Sequence, residues 1–195
     1  MDLPMYNPSK SFRASLLALP LAVGATIAVA STAPAADAAQ AASAASNASL
    51  AEPWRLLWNG DLSYTDKIIS PDFVAHAAPI TGSGGDTIHG RAALNAWISG
   101  IKSIFPDLDF QIEVGPIADR DHFVVRWRAR GTYHGGFPGA PASSTGRKVT
   151  FTGTDTLRVK DGQLVEYWAN ADSLLFVQQL GIETVPGVVK ATTAQ

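Results

Sequence analysis

Asp121-His122-Phe123-Val124-Val125-Arg126-Trp127-Arg128-Ala129-Arg130-Gly131-Thr132-Tyr133 alternates almost without a break. Phe123, Val125, Trp127, Ala129 and Tyr133 fall on one side, and His122, Arg126, Arg128 and Arg130 on the other. A period of two with one apolar side is the pattern of a long half-buried strand. Val149 to Val159 reads as a second long strand, and Lys160-Asp161-Gly162-Gln163 is a hairpin turn into a third, Leu164 to Ala171. On the other side, Leu108 to Val114 alternates with Leu108, Phe110, Ile112 and Val114 sharing a side. The Gly-, Pro- and Ser-rich stretch from Gly135 to Arg147 is a loop within this meander.

Upstream the period changes. Leu94, Trp97, Ile98, Ile101, Ile104 and Phe105 recur at three and four, one face of a helix that Pro106 ends. Leu56, Leu57, Leu62, Ile68 and Ile69, interrupted by Asn59-Gly60-Asp61, predict a helix, a turn and a short second helix before Pro71. Phe73 to His76 reads as a short strand, Thr81 to Gly85 as a Gly-rich turn, and Ser173 to Leu180 as a last helical turn. Helices followed by an antiparallel meander give an α+β roll, a curved antiparallel sheet packed against N-terminal helices around an apolar pocket. That pocket is where function is expected.

The remainder of the chain is organised around this domain, residues 51–184. Lys10 and Arg13 precede an apolar run from Ser15 to Ala30, and the small-residue triplets Ala28-Val29-Ala30, Ala33-Pro34-Ala35 and Ala36-Asp37-Ala38 follow. Residues 1–38 therefore read as a removable signal peptide that exports the protein to the periplasm or the medium. The apolar run, broken by Pro20 and Gly24, is short against the roughly 20 residues of a spanning helix, so no stable membrane insertion is expected after processing. Residues 39–50, almost all Ala, Ser, Asn and Gln, are expected to be a disordered tether, and residues 185–195 a flexible tail. The 195 residues contain no cysteine, so the domain rests on its core without disulfides. A net charge of −2 without a basic cluster excludes long-range attraction of nucleic acid.

Candidate chemistry gathers on the last strand. Period two puts Glu166, Trp168 and Asn170 on one side, with Asp172 at the strand's end. If that side faces the pocket, desolvation fits the carboxylate for proton transfer beside a carbonyl; the alternative is a carboxylate that caps the helix beginning near Ser173. His76 leaves its strand where an imidazole would meet Asp172 across the pocket, or is a satisfied core histidine. Trp127, Tyr133 and Trp168, with Trp97 on the helix, are candidates for an aromatic lining or for plain core. The other histidines have no metal-ligand spacing, no phosphate loop or dinucleotide fingerprint is present, and no G-x-S-x-G elbow occurs. No metal or cofactor is expected.

A set of stretches in order resembles the SnoaL-like polyketide cyclases, or ester cyclases, of the nuclear-transport-factor-2-like superfamily. It includes Phe73-Val74-Ala75-His76, His89-Gly90-Arg91, Phe105-Pro106-Asp107-Leu108, Gly131-Thr132, Thr145-Gly146-Arg147, Asp161-Gly162, Glu166-Tyr167-Trp168, Asp172 and Gln179-Leu180-Gly181. The resemblance implies a cone-shaped α+β barrel, a homodimer or higher oligomer, no cofactor, and an aspartate at the position of Asp172 acting as general acid/base in ring closure. Three departures stand out: Tyr133 replaces a histidine common in relatives, the loop before Thr145 is longer, and, as the largest, the expected export sets this chain apart from antibiotic cyclases that act beside a cytoplasmic synthase. Two functions follow as expectations. The first is cofactor-free acid/base chemistry on a small apolar carbonyl compound, by Asp172 with His76 and Tyr133. The second is an exported protein that binds such a compound without turnover. A less favoured reading, epoxide opening, requires a buried carboxylate paired with an arginine, for which Asp155 and Arg158 are the candidates.

Overall fold

A computed structural model describes residues 35–77 and 87–183. Residues 1–34 of the expected leader, the Thr81–Gly85 turn and the 185–195 tail lie outside the described residues. The elements run α1 (Ala35–Ala48), α2 (Ala51–Trp58), α3 (Thr65–Ile68), β1 (Ile69–Ala77), β2 (Thr87–His89), α4 (Gly90–Ile104), β3 (Asp109–Asp119), β4 (His122–Thr132), β5 (Lys148–Lys160), β6 (Gln163–Ala171) and α5 (Ser173–Gln179). The strands form one sheet in the order β2-β1-β6-β5-β4-β3. It is an open roll with edges at β2 and β3. The sheet is antiparallel except where β1 runs parallel to β6, a pairing the expected all-antiparallel sheet did not include.

The meander is built as its alternation predicts. Phe123, Val125, Trp127 and Ala129 of β4 are buried, and so are Gly153, Asp155, Leu157 and Val159 of β5. The β5–β6 hairpin turns through Asp161 (φ 52°) and Gly162 (φ 74°), the two positive φ values of a tight hairpin turn that suits the twist of the strands. Two bulges change what alternation alone implies. In β3, Ile112 lies opposite Trp127 but Val114 lies opposite Arg126, so Glu113 is an extra residue and Val114 turns to solvent, 52% exposed. In β6, Arg158 pairs with Glu166 but Val159 pairs with Leu164, leaving Val165 extra. Leu164 and Tyr167 therefore both point into the core, and Glu166 and Trp168 point away from it.

Helix α2 buries Trp54, Leu57 and Trp58, an i, i+3, i+4 stripe, against the concave side of the sheet. Side-chain amides extend the backbone pairing at two places. Asn59 accepts from the Phe110 N–H and donates to its carbonyl, docking the end of α2 on β3. Gln179 does the same at Thr150, a stretch of β5 that β6 does not reach, and so fixes α5. The expected tether is helical instead: α1 is Ala-rich, the composition with the highest helix propensity, although it buries no residue. Gln40 and Asn47 tie it to Asp119 and Arg120 at the β3–β4 turn. Among the described residues no helix is long and apolar enough to cross a membrane.

Gly153 marks the tightest point of the sheet, because a Cβ there would overlap the indole of Trp127 and the carbonyl of Asn170. Gly153→Ala is expected to destabilise the protein by about 3 kcal/mol or more, read as a lower urea midpoint. Gly100→Ala, on the exposed side of α4 with open space at its Cβ, is expected to stabilise by about 0.5–1 kcal/mol in the same assay.

Candidate functional site

Between the concave side of the sheet and the helices lies a cavity of about 540 Å³. That is within the range of small-molecule sites. Its walls are aromatic: Trp58 from α2, Trp97 from α4, Phe110 from β3, Trp127 from β4, Phe151 from β5 and Tyr167 from β6. Phe137 and Pro138 of the long loop and Phe176 of α5 also line it. Most of the rings meet edge-on or tilted, as in Trp127 on Phe151 at 5.6 Å and Phe151 on Phe176 at 4.9 Å, while Trp58 stacks on Phe110 at 6.1 Å, so each wall supports the next. No Asp, Glu, His, Lys or Arg side chain lines the cavity among the described residues.

Behind the wall sits a fully buried carboxylate. Asp155 accepts from Trp127 Nε1 (2.7 Å) and the Tyr167 hydroxyl (2.8 Å) on Oδ1, and from Trp54 Nε1 (2.9 Å) on Oδ2. Burial pushes its pKa up to about 6, against the three hydrogen bonds that favour the charged form. The indoles can only donate, so a protonated Asp155 finds an acceptor in one partner, the hydroxyl of Tyr167. Burial, followed by the nearby Asp155 charge, raises the Tyr167 phenol well above its ordinary value. The pairing of Asp155 with Arg158 that epoxide opening requires is not formed: the two face opposite sides of β5, and Arg158 bonds Glu166.

The structure separates the residues singled out from the sequence. Asn170, its side chain on the outer side of the sheet, borders the cavity along with Trp127 and Trp97. Glu166 and Trp168 do not; the bulge at Val165 puts them on the outer side of the sheet. There His76 joins them: its Nε2 lies 2.9 Å from Glu166 Oε1, and its ring stacks on Trp168 at 5.3 Å. Parallel pairing with β6 sets His76 beside Trp168, so the imidazole cannot meet Asp172 across the cavity. His76 and then Arg158 hold the Glu166 carboxyl below its ordinary pKa. Tyr133 is buried outside the cavity lining, and its hydroxyl accepts from the Phe137 N–H at 3.0 Å. It anchors the loop that brings Phe137 and Pro138 to the cavity.

Asp172 occupies the N-cap position of α5 without a capping hydrogen bond from its side chain. It is exposed, and its carboxylate accepts from the Thr152 hydroxyl. The neighbours on either side, Ala171 and Ser173, line the cavity, whereas Asp172 does not: its partner Thr152, which also accepts from Arg126, lies on the outer side of the sheet. Sequence reasoning missed Asp155, Tyr167, Trp54 and Trp58 as a group. The available signal was a charged residue at an inward position of the alternating strand β5.

Because the folded-state pKa of Asp155 is raised, the native state holds its proton where the unfolded chain, near 3.9, has lost it. The stability from this group is full below about pH 4 and lost as pH rises through about 6, a change on the order of 3 kcal/mol. Urea unfolding from pH 4 to 7 is expected to show this falling component in the wild type and not in Asp155→Asn. The variant is less stable throughout, because its amide turns an N–H toward a donor.

Residues 48–180 match the sequence profile of the SnoaL-like polyketide cyclases. No curated protein matches the chain. Among solved structures, IdmH from Streptomyces antibioticus, assigned as a polyketide cyclase, is similar at 28% identity, with 70% of this chain and 99% of that one covered and a TM-score of 0.60. AclR from Streptomyces galilaeus, assigned as a hydroxylase, is 26% identical over 73% of this chain and 89% of its own, with a TM-score of 0.61. TsrD from Streptomyces laurentii is 25% identical over 71% and 96%, with a TM-score of 0.60. The match spans more than half of the chain and coincides with the cavity-bearing roll, and the chain belongs to the SnoaL-like polyketide cyclase family.

Proposed function

We propose that the cavity takes a small, flat, largely apolar carbonyl compound and that Asp172 performs cofactor-free acid/base chemistry on it, an aldol-type ring closure or an isomerisation. The observation that carries this reading is the distribution of polarity in the cavity. Its walls are aromatic, and the two chain neighbours of Asp172, Ala171 and Ser173, both line it. In ring closure, Asp172 accepts a proton from the carbon beside a carbonyl. The resulting enolate carbon attacks a second carbonyl of the same molecule, and the new alkoxide takes the proton back. A ligand whose edge reaches Asp172 desolvates it and strengthens it as a base. His76 and Tyr133 have no contact with the ligand in this reading.

A second reading is binding without turnover by the same cavity. It is favoured by the absence of Asp, Glu, His, Lys and Arg from the cavity lining described above and by the exposure of Asp172. Asp172→Asn separates the two. Under the catalytic reading, turnover of a cyclisable diketone panel falls by at least about 100-fold, while quenching of tryptophan fluorescence by the same compounds is unchanged. Detectable wild-type binding without turnover of any member, unaffected by the substitution, favours the binding protein.

The leader pattern supports export to the periplasm or the medium, and the family supports a homodimer or larger assembly. Expression of the full chain followed by intact-mass analysis of the exported fraction is expected to give a protein shortened to just after one of the three small-residue triplets. A full-length product in the cell extract alone would count against export.

A further inference from the structure

Every aromatic wall of the cavity is carried by a helix, a strand or the residue that ends one, except Phe137. The loop that bears it is fixed at both ends. Tyr133, 2% exposed, exchanges backbone hydrogen bonds of 2.8 Å with Gly146 and Arg147, and the fully buried Ser144 donates to the Leu180 carbonyl. The middle is held far less firmly. From Gly135 to Gly139 the strap makes one hydrogen bond to the body of the domain among the described residues, from the Phe137 N–H to the Tyr133 hydroxyl at 3.0 Å. Gly135, Gly136 and Gly139 all have positive φ, yet a Cβ at any of them would meet nothing closer than 3.8 Å. They serve the path of the backbone and not close packing. The strap therefore rests on that one bond and on the Phe137 ring, which packs edge-on against Phe176 at 5.3 Å. Segments with so few ties to the fold are the ones that open locally. The strap also borders solvent: Pro138 is one of three exposed residues of the lining, with Asn170 and Ala171 at the end of β6.

We propose that Phe137 is the specificity-determining residue of this cavity, a displaceable wall that sets how large an aromatic ligand fits, and that Tyr133 is the positioning residue that holds it in place. The other rings are locked by the sheet and helices and by one another, so they cannot yield to a larger ligand without disturbing the core. Phe137 can yield, because moving it breaks one hydrogen bond and one ring contact. Tyr133 cannot follow it: its ring packs on Phe105 at 5.7 Å in the core. The buried phenol thus acts on the ligand only through the Phe137 backbone. This inference rests on the cavity reading proposed above and deepens it.

The experiment uses the full chain and three ketones of increasing size, 2-acetylnaphthalene, 2-acetylanthracene and 1-acetylpyrene, with affinities read by tryptophan quenching. Phe137→Ala removes the wall. It is expected to raise the affinity of the largest ketone relative to the smallest by about 10-fold or more, since the small probe loses a contact and the large one gains room. Tyr133→Phe keeps the core ring and removes the acceptor of the Phe137 N–H. It is expected to move the same ratio in the same direction by about 3- to 5-fold, which a purely structural hydroxyl would not do. In the wild type, hydrogen exchange at the Phe137 amide is expected to quicken with the largest ketone that binds and not with the smallest. This measurement does not depend on a variant folding. If the affinity ratio is unchanged in both variants, or if the Phe137 amide ignores the larger ketone, the assignment to Phe137 is overturned and the cavity reading stands. If no ketone binds the wild type, the cavity reading fails and takes this inference with it.

Discussion

A carboxylate without solvent or a counter-ion sets the constraint that organises this domain. Asp155 is fully buried on the central strand β5, and its charged form is tolerated because three donors converge on it. The donors come from α2, β4 and β6, so one side chain joins the helix layer to three adjacent strands. An isolated buried carboxylate is far too costly to keep, so the three contacts are coupled. Two of the donors, Trp127 and Tyr167, present their rings to the cavity. The same bonds that satisfy the charge therefore fix the orientation of two walls. Polar satisfaction behind the wall is what allows the cavity side to be almost purely aromatic.

Much of this was legible in the sequence, because the controlling signal is periodic. The alternation of Asp121 to Tyr133 gave the inward side of β4 correctly at every position from Phe123 to Ala129. The α4 stripe and its stop at Pro106 needed only helical spacing. Periodicity failed where one inserted residue changed the phase. Nothing in Leu164-Val165-Glu166 announces a bulge, because Leu164 and Val165 are both good strand residues on either side of a sheet. The extra Val165 reversed Glu166 and Trp168 and moved His76 with them to the outer side. The Ala-rich segment failed for another reason. Lack of apolar bulk argues against burial but not against helix, and α1 is a helix that buries nothing.

The stretches that carry the family resemblance divide into builders and site residues once the contacts are known. Asp107 accepts from the Thr132 N–H and hydroxyl, each at 2.7 Å, which holds its carboxyl below the ordinary range. Gly131 admits this approach because a Cβ there would press on Phe105 and Asp107 at 3.3 Å. Phe105-Pro106-Asp107-Leu108 and Gly131-Thr132 are thus the two halves of one joint between the end of α4 and the end of β4. Gln179 joins α5 to β5. These are architectural reasons for a residue pattern to persist, and they carry no information about a reaction.

The chemistry must then come from the few places where architecture leaves a polar group unspent. Glu166 is bound on both oxygens by His76 and Arg158, and Asp155 is enclosed by its three donors. Asp107 serves its joint. Among these carboxylates Asp172 has the fewest partners, a single hydroxyl, and is exposed to solvent. A base that is to take a proton from carbon needs that freedom, since each hydrogen bond to its charged form weakens it. Relatives of this fold assigned as a cyclase and as a hydroxylase have the same roll, so the roll does not select the reaction. What distinguishes one member from another must lie in the side chains in and around the cavity, not in the roll that holds them.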